Sequence, residues 1–285
     1  MNDDRHEPIP VIEPAEPIPA KPRKISLLAA FGIPFAAITI GAIPVALIAR
    51  VFALSDRALV GIVQVTGVLV PTIWLFRHYG ISMSEQIAVR KFRLSHAAPL
   101  IVFLLGFAAM MDTITYKVIE VLPDKIAESL RGLLEAQAKL MEMHGVLDWV
   151  WFIAVVVIGA GVFEELLFRG LILRASLQRM SIGPAAALNG LLFAFMHLNG
   201  PAIPYYFLLG MSLAIIVHRT GCLAYTMMLH GMLNLISGLL YYKYGLEPSL
   251  PFSDIVVVIG GFVVMAIGFG LFLLVSRRKP EPVDG

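Results

Sequence analysis

Long apolar runs alternate with short polar segments along the whole chain. Eight runs approach the roughly 20 apolar residues that an α-helix needs to cross a bilayer, and the fifth and sixth are short. Their approximate limits are 26–49, 58–76, 97–116, 149–172, 184–199, 203–217, 222–242 and 254–275. This pattern predicts an all-α fold, a polytopic membrane helical bundle with about eight transmembrane helices.

The polar segments divide the chain into four parts. Residues 1–24 combine prolines with acidic residues, which predicts a disordered tail. Residues 25–147 are expected to hold N-terminal transmembrane helices and amphipathic connectors, including one at 123–147. Residues 148–245 contain the polar motifs described below, and 246–285 are expected to hold the last transmembrane helix and a basic C-terminal tail.

Composition supports the membrane assignment. Hydrophobic residues make up 58% of the chain, charged residues 15%, and the mean hydropathy is +0.82, whereas soluble domains carry about 25% charged residues. The net charge of +2 and the absence of a basic stripe argue against nucleic acid as a partner. The single cysteine, Cys222, excludes an intrachain disulfide and a cysteine-based zinc cluster. We therefore expect the chain to be embedded in a lipid bilayer, which is its expected partner.

The basic residues indicate an orientation. With eight spans, fifteen of the 22 lysines and arginines fall on the side of the two termini, and cytoplasmic loops are enriched in such residues. Both termini are therefore predicted to be cytoplasmic. Short loops and an acidic, proline-rich tail without a targeting peptide fit a bacterial inner membrane.

Two adjacent carboxylates, Glu164 and Glu165, interrupt the fourth apolar run. A charge at the centre of a membrane helix costs roughly 2.5–3.5 kcal/mol on insertion scales, so the pair indicates a functional site. Helix positions four apart share a face, which makes Glu165 the expected partner of Arg169. Glu164 is rotated by about 100° and is left free for other chemistry.

Two further pairs occur at the same spacing in the later runs, Phe193 with His197 and His230 with Asn234. Each pair shares one helix face. A rise of about 1.5 Å per residue places Glu164, His197, His230 and Asn234 at one depth in the bilayer. We therefore expect these side chains to meet.

This set of groups suits hydrolysis inside the membrane. A carboxylate and a neutral imidazole, Glu164 and His197, can withdraw a proton from water. A second imidazole and an amide, His230 and Asn234, are suitable donors to the resulting oxyanion. The alternative is a divalent metal held by Glu164, His197 and His230, with an open position for water.

Other intramembrane protease chemistries have no matching motif here. The sequence contains no HExxH and no GxGD motif, Gly210 begins an incomplete GxSG motif, and Asp112 is the only aspartate deep in a span. Asp112 shares a helix face with Tyr116. We expect Asp112 to form an interhelical hydrogen bond, and we favour this role over a proton relay. Gly261, Gly268 and Gly270 are expected to permit close helix packing.

The order EExxxR, FxxxH and HxxxN across residues 149–242 resembles the CPBP intramembrane protease family, also called Abi or CAAX amino-terminal protease family, which includes the type II CAAX prenyl endopeptidases. The resemblance implies a glutamate-dependent intramembrane endopeptidase without a catalytic metal, its catalytic core at 148–245. Its water-activating residues correspond to Glu164 and His197. Its oxyanion residues correspond to His230 and Asn234. The remaining motif residues, Glu165, Arg169 and Phe193, are expected to have supporting roles.

The resulting hypothesis is an endopeptidase whose substrate is a membrane-embedded or lipidated peptide or protein. Three alternatives stay open at this point. They are a metal-dependent form of the same hydrolysis, a non-catalytic membrane scaffold or immunity protein, and a proton-coupled transporter using the intramembrane carboxylates and histidines.

Overall fold

A computed structural model describes residues 24–197, 200–245 and 252–276, and all regular structure in these ranges is helical. The predicted all-α fold is therefore confirmed. The helices are α1 (Leu27–Val51), α2 (Asp56–Tyr79), α3 (Met83–Ile87), α4 (Leu94–Glu120), α5 (Asp124–Leu140), α6 (Val146–Leu177), α7 (Ile182–His197), α8 (Ile203–Thr220), α9 (Leu223–Tyr244) and α10 (Asp254–Val275). The predicted disordered tail, except Lys24, and the predicted basic C-terminal tail beyond Ser276 lie outside the described residues.

Seven helices in the described ranges are long and apolar enough to cross a membrane, namely α1, α2, α4, α6, α8, α9 and α10. They make the chain a multi-pass integral membrane protein. The remaining predicted span, the fifth run at 184–199, corresponds to α7, which is apolar but has only 16 residues. At about 1.5 Å per residue it is roughly 24 Å long, less than the roughly 30 Å of a bilayer core. The cytoplasmic position of the termini stays a prediction.

Proline interrupts the regular geometry of the first two spans. In α1 the helix breaks at Ile40 and Gly41, where Pro44 has no N–H to donate to the carbonyl of Ile40. In α2 the segment Gln64–Leu69 is π-helical and ends two residues before Pro71, which has no N–H either. Such wide turns rearrange the carbonyl pattern and often mark functional segments.

Helix α6 contains two further π-helical segments. Phe152–Ala160 and Leu166–Ile172 flank one α-helical stretch, Gly161–Glu165. Glu164 and Glu165 therefore lie at the end of a short regular stretch between two widened ones. The widened turns change which side chains and carbonyls face the neighbouring helices.

Glycines bring two helix pairs into close contact. A Cβ atom on Gly268 of α10 would lie 2.2 Å from the backbone nitrogen of Phe103 on α4, and one on Gly261 would lie 2.8 Å from the carbonyl oxygen of Gly106. A Cβ on Gly210 of α8 would lie 2.8 Å from the Cα of Gly190 on α7. The expected close packing is thus confirmed for Gly261 and Gly268.

The expectation for Gly270 was wrong. A Cβ atom there would meet nothing within 4 Å, because Gly270 is two residues beyond Gly268 and faces away from α4. A position two residues away on a helix points to a different side.

Hydrogen bonds and an ion pair join the N-terminal helices to α6. Arg57, at the start of α2, forms an ion pair with Asp148 at the start of α6, and the indole nitrogen of Trp151 donates to the carbonyl of Arg57 at 3.1 Å. At the other end of the bundle, the backbone N–H of Ile25 donates to the side-chain oxygen of Gln178 at 2.9 Å. These contacts hold α1 and α2 beside α6, so the N-terminal half forms one wall of the site.

The predicted amphipathic connector is the helix α5. Ala127 and Ala138 are buried, whereas Ile126 and Leu133 are about half exposed. The helix lies beside the C-terminal end of α4, and the exposed apolar side chains are typical of a helix at a membrane surface.

We predict that Gly268→Ala destabilises the protein and that Gly270→Ala does not. The added methyl group at 268 must push α10 away from the α4 backbone, and overpacking of this kind costs about 1–3 kcal/mol. At 270 the methyl group meets open space, and alanine favours a helix over glycine by up to about 1 kcal/mol. Thermal unfolding of the two variants in detergent checks this, and equal melting temperatures would contradict it.

Candidate active site

A buried ion pair lies at the centre of the bundle. The guanidinium of Arg169 donates from Nη1 to Oε1 of Glu165 at 2.8 Å, and both side chains are fully buried. The two residues are four apart on α6, which is the pairing expected from helical phase. A buried ion pair of this kind needs further polar contacts to offset the loss of hydration.

Arg169 provides those contacts to two other helices. Its Nη2 donates to the carbonyl oxygen of Gly210 on α8 at 3.1 Å, and its guanidinium carbon lies 4.6 Å from the centroid of the Phe193 ring on α7. The second contact is a cation–π interaction. Phe193, expected in a supporting role, is completely buried and packs against Arg169 from α7.

His230 brings α9 into the same network. Its Nδ1 lies 3.0 Å from Oε1 of Glu165, and the residue is 3% exposed. Because a carboxylate only accepts hydrogen bonds, Nδ1 carries the proton and donates. Nε2 is then the nitrogen of His230 available for chemistry. The contact between His230 and Glu165 was not anticipated from the sequence.

Glu164 points away from this network and toward His197. Its Oε2 lies 3.8 Å from Nε2 of His197, and both side chains are partly exposed. Nδ1 of His197 lies 2.8 Å from the carbonyl oxygen of Phe193, which only accepts, so Nδ1 carries a proton. In the neutral imidazole, Nε2 is therefore an acceptor that faces the Glu164 carboxylate.

An aromatic side chain fixes the ring of His197. Tyr206 of α8 stacks on it with ring centroids 4.0 Å apart and planes inclined by 22°. The Phe193 ring lies 4.4 Å from it on another side. The imidazole is thus oriented by one hydrogen bond and two aromatic contacts. Tyr206 was missed by sequence reasoning, because a tyrosine in a short apolar run has no distinguishing spacing.

Asn234 of α9 makes a structural contact with α6. Its Nδ2 donates to the carbonyl oxygen of Val156 at 2.8 Å, within the first π-helical segment of α6. An amide nitrogen carries two hydrogens, so one remains for another acceptor. Its expected oxyanion role stays a prediction.

A cavity of about 170 Å³ contains the Glu164 and His197 side chains. Helix α2 contributes Gln64 to its wall. The Oε1 atom of Gln64 and the Oε2 atom of Glu164 are buried and have no hydrogen-bond partner among the described residues. Gln64 was also missed, although a carboxamide inside an apolar span is a signal of function in its own right.

The metal hypothesis finds no ligand set in the described residues. No group of three or more histidine, cysteine, aspartate or glutamate side chains there is arranged to hold a metal ion. The proposed ligands Glu164, His197 and His230 do not form such a group in the part of the chain that the structure describes. Among the described residues the donor set does not fit a metal ion, and no step below uses one.

These features define a class of protein: a multi-pass helical membrane protein with a buried Glu–Arg–His network beside a less enclosed Glu–His pair. Residues 146–236 match the family model described as type II CAAX prenyl endopeptidase Rce1-like. This segment is a domain of that family, so the resemblance is confirmed over this range. The range contains every residue of the three motifs. The chain has no match among the curated proteins or the solved structures.

We predict that Glu165→Gln and Glu164→Gln differ in stability. Glu165→Gln removes the only anion that contacts Arg169 among the described residues, and an uncompensated buried charge costs about 3–5 kcal/mol. Glu164→Gln changes little, because its buried oxygen makes no hydrogen bond in the described structure. Thermal unfolding of both variants in the same detergent measures this. Equal melting temperatures, or a lower one for Glu164→Gln, would refute the structural role of Glu165.

Proposed function

We propose that the protein is an intramembrane endopeptidase that hydrolyses a peptide bond of a membrane-embedded or lipidated peptide or protein. The observation that carries the proposal is the close approach of Glu164 and His197, at 3.8 Å. It occurs within the segment that matches a peptidase family. The buried Glu165–Arg169 network beside this pair also supports a peptidase site, because it holds a second histidine, His230, in place.

In the proposed mechanism, Glu164 and His197 activate water. Both Oε2 of Glu164 and Nε2 of neutral His197 are acceptors, and their separation allows one water molecule to donate to both. As the water oxygen attacks the peptide carbonyl, its proton passes to this pair, which acts as general base. Ile38 of α1 and Val63 and Val68 of α2 contribute apolar side chains to the wall of the cavity that holds this pair.

His230 and Asn234 are proposed to stabilise the oxyanion. His230 donates from Nδ1 to Glu165, so it can donate from Nε2 as well only when it is an imidazolium. Asn234 has its second amide hydrogen available. Removing one such donor from an oxyanion site costs about 10²–10³ in rate.

The proton taken from water completes the reaction. When the tetrahedral intermediate collapses, the carbon–nitrogen bond breaks and the leaving amine needs a proton. The protonated Glu164–His197 pair returns it, acting as general acid. Glu165 and Arg169 take no part in proton transfer and position His230.

We further propose a bacterial inner membrane as the location, on the basis of the short loops and the distribution of basic residues. A non-catalytic scaffold and a proton-coupled transporter are the functions that would replace the peptidase if the next test failed.

Glu164→Gln should abolish cleavage without unfolding the protein. Loss of a positioned general base typically lowers the rate by about 10²–10⁴. The assay is digestion of a membrane-peptide library in proteoliposomes, with fragments identified by mass spectrometry. The matched control is Glu128→Gln, on the exposed surface of α5, which should cleave like the wild type. Full activity of folded Glu164→Gln would exclude the proposed chemistry, and the absence of cleavage by the wild type would favour a scaffold.

A further inference from the structure

A second cavity, of about 230 Å³, lies between α4, α5, α8 and α9. Among the described residues that line it, Asp112 is the only charged one, and four are tyrosines: Tyr116, Tyr205, Tyr206 and Tyr241. This cavity is distinct from the one that contains Glu164. Placing an aspartate in a membrane span costs free energy, so such a residue is usually found where it binds a partner or a substrate.

Asp112 has no cationic partner in the described structure. The next cation on its helix, Lys117, bonds instead to Glu120 Oε2 at 2.6 Å and Asp254 Oδ2 at 2.9 Å. No ion pair joins Asp112 to another described residue. A carboxylate withdrawn from water is stabilised by a cation close to it.

The cavity reaches the proposed active site. Two of its lining residues, Tyr206 and Asn234, belong to that site, and Tyr206 stacks on His197. On α9 the lining continues from Asn234 through Tyr241 to Gly245, the residue after the helix. At about 1.5 Å per residue, the cavity extends roughly 16 Å along α9.

We propose that this cavity is a recognition subsite for one basic side chain, lysine or arginine, close to the cleaved bond of the substrate. A carboxylate together with tyrosine rings is the chemistry that binds an ammonium or guanidinium group, through charge and cation–π contacts. The volume is below the roughly 300–1,000 Å³ of pockets for drug-sized ligands, so it suits a single side chain. This inference rests on the proposed peptidase function and adds a substrate class to it.

The first test compares cleavage preferences in proteoliposomes. Wild type and Asp112→Asn digest the same peptide library, and the frequency of lysine and arginine is counted at each position around the cleaved bonds. Wild type should show enrichment at one position, and Asp112→Asn should lower it about tenfold or more, as expected when one partner of a buried charge pair is removed. Asp124→Asn, an exposed carboxylate at the start of α5, is the control and should retain the enrichment.

The second test measures binding without cleavage. n-Butylammonium should raise the melting temperature of wild type and of Glu164→Gln, whereas n-butanol and sodium chloride at equal concentration should not. Asp112→Asn should lose the n-butylammonium effect, and Asp112→Glu should retain part of it. These comparisons use the melting temperature of each variant as its own reference, so a less stable variant still gives an answer.

The outcomes separate the subsite from the peptidase function. The subsite proposal would be overturned by equal frequencies of lysine and arginine around the bonds cleaved by wild type and by Asp112→Asn. A uniform loss of cleavage for all peptides in Asp112→Asn would overturn it as well. So would the absence of n-butylammonium stabilisation in the wild type. If wild type cleaves nothing, the proposed function fails, while the melting temperatures still decide whether the cavity binds a cation.

Discussion

The ion pair between Glu165 and Arg169 is the interaction on which the geometry of the site depends. It lies on α6, and through it α6 contacts α7 by the Phe193 ring, α8 by the carbonyl of Gly210 and α9 by His230. Because a charge in this core has no water to solvate it, each partner contact offsets part of a large desolvation cost. Four helices are thereby held in one arrangement, and the position of His230 follows from it.

The π-helical segments of α6 explain why amides are found around this ion pair. Widened turns leave carbonyl oxygens that face neighbouring helices, and an unsatisfied carbonyl in a membrane costs several kcal/mol, so a donor must reach it. Asn234 donates to Val156, and Asn189 donates to Phe168 at 2.7 Å. These asparagines therefore stabilise the backbone of the helix that carries the carboxylates. For Asn234, any donation to substrate uses its second amide hydrogen.

What could be predicted from the sequence was local in origin. Span limits follow from runs of apolar residues, and the pairing of Glu165 with Arg169 follows from helical phase, since both depend on residues close in the chain. The contact of His230 with Glu165 joins residues 65 positions apart. The position of Gln64 beside Glu164 depends on how α2 packs against α6. Neither has a local signal, and the π-helical segments have none either, because widened turns arise from packing as well as from sequence.

The two adjacent glutamates carry the same charge and have opposite surroundings, and this difference bears on the substrate. Arg169 neutralises Glu165 at 2.8 Å, while the ion-pair contact of Glu164 within the described ranges is with His197, at 3.8 Å. Asp112, in the adjoining cavity, forms no ion pair with a described residue. The site thus contains three carboxylates and one buried arginine. In surroundings of low dielectric such an excess of negative charge attracts cations over several ångströms. For the proposed peptidase, this field would favour the binding of a basic peptide over that of an acidic one.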